Sequence, residues 1–197
     1  MLFALILACS SPGAGDSEPS GDSADTGAND PVATTIHYIG TSQGQTPDGS
    51  YVEDEKEILF IRALDPEAST IGEEFWIEGA RGAYDHGELL NTVATADGST
   101  YTFGSLWDTG EGVLEIVGAF TAGGPWSWTA WHSTSTYVDG EYAGYWISSA
   151  DVLDAAGADT ATKVVHDAEG TEVWHIVEFI APVPQADFES RLEARGL

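Results

Sequence analysis

Between residues 34 and 181 the sequence is a succession of short stretches alternating polar and apolar residues, each ended by a turn signal. Few folds accommodate that rhythm, because alternation with period two sends successive side chains to opposite faces of a strand. Such stretches cover 34–40, 56–64, 69–78, 88–96, 99–106, 112–121, 126–137, 141–149, 160–166 and 171–181. Between them stand Pro47-Asp48-Gly49, Asp65-Pro66, Asp97-Gly98, Gly123-Gly124-Pro125, Asp139-Gly140 and Glu169-Gly170, all favourable for chain reversal. About ten short strands in a meander suit a closed barrel or a two-sheet sandwich. The expected fold at this level is all-β and antiparallel, with both architectures open.

The segment 123–149 dominates the apolar content, with four of the seven tryptophans: Trp126, Trp128, Trp131 and Trp146. Its alternation breaks at Asp139-Gly140, which predicts a tight hairpin. Period two puts Trp126, Trp128, Ala130 and His132 on one side of the first strand and Trp131 and Tyr137 on the other. With apolar groups on both sides, one set should line the interior and the other should be covered, for which the C-terminal helix is a candidate.

Two stretches read as helical. In 150–156, Ser149 is a candidate N-cap and Gly157 stands just past the end. In Gln185–Arg195, Phe188, Leu192 and Arg195 share a helical stripe that could lie against the barrel. The length suits one folded domain, 34–197.

Acidic residues number 33 against 6 basic, for a formal net charge of −27. Five of the acids (Asp16, Glu18, Asp22, Asp25, Asp30) precede the folded part, which therefore keeps 28 acids with all six bases. A surface of that sign repels phosphate backbones, so nucleic acid is not an expected partner. Cationic partners or Ca²⁺ are electrostatically compatible; solubility or life in a salty medium explains the charge as well.

Residues 1–8, MLFALILA, are apolar and too short to span a bilayer; they read as the end of a secretory signal peptide. Ile6-Leu7-Ala8-Cys9 resembles the bacterial lipobox, which implies cleavage before Cys9 and acylation of its thiol. No Lys or Arg precedes Cys9, so the basic n-region of such a signal would lie upstream of Met1. By the same resemblance Ser10 favours sorting to the outer membrane. Residues 10–33 are rich in Ser, Gly, Asp, Pro and Ala without an aromatic residue, the composition of a disordered acidic tether. A flexible chain of that length spans on the order of 27 Å. The cell envelope, with membrane attachment through Cys9, is the expected location.

The run Gly124-Pro125-Trp126-Ser127-Trp128-Thr129, then Trp131, Ser133-Thr134-Ser135-Thr136 and Asp139-Gly140, resembles bacterial lipoproteins of uncharacterised activity with a calycin-like (lipocalin or fatty-acid-binding-like) β-barrel. Lys163 leading into Asp167-Ala168-Glu169-Gly170, and Asp65-Pro66 with Ser69-Thr70-Ile71, fit the same resemblance. It implies an up-and-down barrel and brings no catalytic residues. The lipocalin Gly-x-Trp near the first strand is missing, since Thr41 and Ser42 follow Gly40.

No motif supports catalysis. Asp108-Thr109-Gly110 matches the aspartic-protease triplet, but Glu111 follows it and the triplet recurs at 25–27 within the tether, so a turn is the better reading. There is no Gly-x-Ser-x-Gly nucleophile motif. His37, His86, His132, His166 and His175 lack metal-ligand spacing, so no metal is expected. Asp151, Asp154 and Asp159 lack the spacing of a calcium loop; Asp151 reads as helix N-terminal charge and the others as solvated surface. His175, late in the chain between Val173 and Val177, is a weaker candidate haem ligand, by analogy with calycin-like haem proteins. No cofactor is otherwise expected.

A barrel of this size is either filled by side chains or holds one small ligand. The leading expectation is non-catalytic binding of a small apolar or aromatic ligand, with Trp126, Trp128, Trp131, Tyr137, Trp146 and His175 as candidate contacts. The alternative is a structural or protein-interaction module with a filled barrel.

Overall fold

The computed structural model describes residues 33–79, 82–95, 100–109, 112–124 and 127–197. Cys9 and Trp126 lie outside the described residues, as does the side chain of Trp128.

The strands are β1 (Thr34–Gln45), β2 (Lys56–Asp65), β3 (Thr70–Glu78), β4 (Tyr84–Thr95), β5 (Thr100–Asp108), β6 (Val113–Gly124), β7 (Ser127–Tyr137), β8 (Trp146–Leu153), β9 (Asp159–His166) and β10 (Glu172–Val183), followed by helix α1 (Gln185–Arg195). Each strand pairs antiparallel with its sequence neighbours, and β10 pairs with β1 from Gln45↔His175 to His37↔Val183, closing the barrel. Among the described residues every strand has a partner on both sides, although β4 and β5 are paired only from Thr92↔Gly104 to Thr95↔Tyr101.

Alternation decides what fills the lumen. In β2, Ile58, Phe60, Arg62 and Leu64 point inward, while Leu59 points outward and is nonetheless fully buried. Helix α1 explains this. It starts at once after β10, with Pro184 as its N-cap residue, so it can reach only strands near the β1/β10 seam. Phe188 sits on the outer wall, 5.2 Å from the His37 ring and 6.0 Å from the Trp76 ring. Leu59 pairs with Ile39 on β1 and Trp76 on β3, the same patch. The helix therefore covers β1 to β3 and not the tryptophan hairpin. Arg195 Nε donates to Glu57 Oε2 at 2.9 Å, fastening its far end.

Two local expectations are corrected. Residues 150–153 belong to strand β8 and not to a helix, with Asp151↔Ala161 and Val152↔Thr160 in the ladder to β9. Asp151 faces inward and Val152 outward, so the stretch carries strand alternation, which the helical reading overlooked. Ser149 Oγ donates to Asp151 Oδ1 at 2.6 Å and caps nothing. The chain turns after Leu153, where Asp154 Oδ1 accepts from the Ala156 and Ala158 amides at 2.8 and 3.0 Å and Gly157 takes φ 82°.

The hairpin after β7 is not a two-residue turn at Asp139-Gly140. Strand β8 begins only at Trp146, and the connection is held by Gly144 N donating to Tyr137 O at 2.8 Å and Tyr137 N to Tyr145 O at 2.9 Å. Gly140 and Gly144 both take positive φ. Asp139 is diverted across the barrel end, where its Oδ1 accepts from Val113 N at 2.6 Å.

Candidate ligand cavity in the barrel lumen

The lumen has two unlike walls. Strands β3 to β7 send in Ile71, Phe75, Phe103, Trp107, Leu114, Ile116, Trp131 and Tyr137, which with Leu64 of β2 form one buried apolar cluster. Phe103 lies 4.0 Å from Trp131 and Phe75 5.4 Å from Trp107, ring centre to ring centre. Close packing of these rings depends on Gly87, opposite Phe75, where a Cβ would enter the ring. Beside this cluster a cavity of about 730 Å³ remains, in the usual size range of small-molecule sites.

The facing wall is charged. Arg62 from β2, Glu73 from β3, Asp151 from β8, Asp159 and Lys163 from β9, and Glu178 from β10 all line the cavity. Arg62 and Glu73 are paired in the ladder, and both Nε and Nη2 of Arg62 lie 3.0 Å from Glu73 Oε1. Asn91 Nδ2 donates to Glu73 Oε2 at 3.1 Å. Arg62 Nη1 reaches Asp159 Oδ2 at 3.7 Å. Lys163 Nζ lies 2.6 Å from Glu178 Oε2.

These groups hold unusual protonation equilibria. Burial works against charge on Arg62 and Lys163, but Glu73 and Glu178 outweigh it and keep both cations firmly protonated. The acids beyond those two pairs behave differently. Burial pushes the Asp159 carboxyl up to about 6, helped by the charge of Asp151. Asp151 is raised by burial too, against the opposing hydrogen bond from Ser149.

The cavity opens where the β1–β2 and β3–β4 connections meet, lined there by Tyr51, Glu53, Asp54, Glu55, Gly79 and Gly82, with Glu78 and Asp85 alongside. Tyr51 leans over Trp174, 6.0 Å between ring centres. Lys56 is engaged by Glu53 at 2.7 Å, so the mouth is predominantly acidic.

Of the residues expected to contact a ligand, Trp131 lines the cavity and Tyr137 is packed in the apolar cluster, 5.8 Å from Tyr142. Trp146 and His175 do not reach the lumen. Trp146 stacks outside on its ladder partner His166, with ring centres 3.7 Å apart and 3° between planes. His175 is on the outer side of β10, its Nε2 3.1 Å from Glu172 Oε2. The inward neighbour Trp174 takes the lumen position, so the apolar alternation of Val173, Val177 and Phe179 marked the outer face. Strand parity places His37, His86, His132, His166 and His175 all outside, which leaves no histidine to bind a haem in the cavity. Asp108 ends β5, and Thr109 follows in the connection, its Oγ1 donating to Gly112 O at 2.9 Å. On the outer wall Glu74, His86 and Glu88 bring potential metal-ligand atoms within 4.8 Å of one another.

Sequence reading missed Arg62, Glu73, Lys163 and Glu178, and took the buried Asp159 for solvated surface. A signal was present: each interrupts an inward apolar series, as in Ile58-x-Phe60-x-Arg62-x-Leu64 and Trp174-x-Ile176-x-Glu178-x-Ile180.

No family model matches this chain. No curated protein matches it either. Among solved structures, it aligns with the crystal structure of an N-terminal dehydratase from the difficidin assembly line at 11% identity, over 80% of this chain and 82% of that one. The TM-score is 0.25, too low to carry an argument about fold or activity.

Proposed function

We propose that this chain is a lipid-anchored protein of the cell envelope whose calycin-like barrel binds a small apolar or aromatic ligand without chemistry. The observation that supports the binding role is the cavity walled on one side by Phe75, Phe103, Trp107 and Trp131. A space of that size bounded by aromatic rings offers a ligand's apolar body extensive burial, at roughly 25 cal/mol per Å² removed from water. The acylation site is Cys9, and the segment up to residue 33 tethers the barrel to the outer membrane.

Native mass spectrometry of the detergent-extracted full chain tests both parts. A diacyl or triacyl mass on Cys9, lost in Cys9→Ser, and a stoichiometric small molecule released on unfolding are expected. An unacylated chain would overturn the anchor, and failure of every small aromatic probe to compete for or enter the lumen would overturn the binding role.

A further inference from the structure

We propose that Asp151 and Asp159 form the binding site for the ammonium group of an amphipathic amine whose apolar or aromatic body lies against Phe103, Trp107 and Trp131. The inference rests on the lumen being a ligand site and adds the charge of the ligand.

Charge balance inside the barrel carries it. Below the mouth, the charged wall of the cavity carries four carboxylates, Glu73, Asp151, Asp159 and Glu178, against two cations, Arg62 and Lys163. Each cation has a close partner, Arg62 with Glu73 at 3.0 Å and Lys163 with Glu178 at 2.6 Å. Asp151 and Asp159 are in excess of these pairs: Asp159 stands 3.7 Å from Arg62 Nη1, an ion-pair distance outside hydrogen-bond reach, and shares that cation with Glu73. The strands of Asp151 and Asp159 adjoin, with Asp151 opposite Ala161, two residues from Asp159, so both carboxyls enter the same part of the lumen. Asp159 is only 3% exposed, yet its Oδ1 has no hydrogen-bond partner among the described residues. A buried carboxylate oxygen without a donor is costly, and a cationic N–H donor entering from the cavity removes that cost.

An anionic ligand fits poorly. It would have to separate Arg62 from Glu73 or Lys163 from Glu178, after passing a mouth lined by Glu53, Asp54, Glu55 and Glu78. The same mouth attracts cations and raises their local concentration. A bare metal ion fits less well than an amine, because it would gain nothing from the aromatic wall. The aromatic rings, in contrast, favour an organic cation through both burial and cation–π attraction.

Protonation of Asp159 competes with the amine. The charged groups around it are Arg62, Glu73, Asp151, Lys163 and Glu178, with the Tyr38 hydroxyl. Amine affinity should accordingly fall as pH drops below about 6.

Calorimetric titration of the full chain with tryptamine, neutral 3-ethylindole and anionic indole-3-propionate tests the proposal, since the three share an aromatic body and differ in charge. Tryptamine is expected to bind at least about tenfold more tightly than 3-ethylindole at neutral pH, and to lose that advantage at pH 5. Asp159→Asn and, independently, Asp151→Asn should bring tryptamine to within about twofold of 3-ethylindole when both are measured on the same variant. Either variant suffices if the other fails to fold. Equal affinity for tryptamine and 3-ethylindole, or tighter binding of indole-3-propionate, would overturn the cation site while leaving the lumen a ligand site. Absence of binding by all three at millimolar concentration would overturn both readings.

Discussion

The guanidinium carbon of Arg62 lies 5.3 Å from the centre of the Trp131 ring, although Arg62 stands on β2 and Trp131 on the opposite wall, on β7. The same guanidinium is 4.9 Å from the Phe60 ring, hydrogen-bonds Glu73 and lies 3.7 Å from Asp159. Arg62 is thus a brace across the lumen, joining its charged and aromatic walls. Removing it leaves two buried carboxylates without their cation, a far larger loss than the pair's own net contribution. Arg62→Ala is expected to destabilise the barrel by about 3–5 kcal/mol in urea unfolding. The double variant Arg62→Met/Glu73→Leu should be substantially more stable than Arg62→Ala. A double variant no better than Arg62→Ala would show that the brace acts through ring packing instead of charge.

Asp159 sets a pH dependence of known sign. Its carboxyl is raised from 3.8 to about 6, chiefly by burial and then by Asp151. The neutral form therefore favours the fold. This contribution is intact below pH 3.8, declines as pH rises, and is lost above about 6. Asp159→Asn is neutral throughout and should escape the decline. Between about pH 4 and 7, its stability relative to the parent protein is expected to improve by on the order of 1–2 kcal/mol. Parallel stability profiles for the two proteins over that window would refute the assignment.

Alternation and turn residues made the ten-strand antiparallel meander legible, because a strand's period of two survives in the sequence whatever it packs against, but left barrel and sandwich open. The stripe of Phe188, Leu192 and Arg195 made α1 legible for the same reason. What could not be read was facing. Val173, His175, Val177 and Phe179 look like a core series, yet Val177 and Phe179 are about half exposed, at 49% and 48%. The inward series from Trp174 to Ile180 includes a charge, Glu178, whose partner Lys163 lies on the neighbouring strand, so no local pattern reveals that the pair is satisfied. Asp159 was misread similarly: the cation nearest to it, Arg62 at 3.7 Å, is distant in sequence. The helical reading of 150–156 failed because Ser149 and Gly157 mimic helix start and stop signals around an Ala-containing run, whereas the ladder to β9 makes the backbone bonds that decide the matter.

The aromatic wall requires a bare backbone at Gly118 of β6. A Cβ there would enter the Phe103 ring and stand 2.5 Å from the His132 carbonyl oxygen. Phe103 cannot retreat freely, because Trp131 lies against it. The carbonyl belongs to the β6–β7 ladder through the pair Gly118↔Ser133. Gly118→Val is expected to cost about 1–3 kcal/mol in stability through overpacking. Because it displaces Phe103 into the cavity, it should also weaken binding of an aromatic probe. Unchanged stability and unchanged probe affinity in this variant would show that the wall is more pliant than its packing indicates.

Helix α1 tests whether the outer patch is part of the cooperative fold. Phe188 is 1% exposed and covers Leu59, so Phe188→Ala is expected to cost about 3–5 kcal/mol if helix and barrel unfold together. The polar fastening at the other end of the helix adds a pH signature. Burial tends to raise the Glu57 carboxyl, but the hydrogen bonds of Tyr84 at 2.5 Å and Arg195 at 2.9 Å, with the charge of Arg191, hold it below its usual 4.5. Its contribution is present above pH 4.5 and is lost as pH falls further. Hydrogen exchange distinguishes the two ways this can happen. If α1 opens separately, Phe188→Ala and mild acid will both expose the amides of α1 while those of β2 and β3 stay protected. If the helix is integral, amides of Leu59 and Trp76 will lose protection together with those of α1, as the burial of Leu59 beneath it leads us to expect.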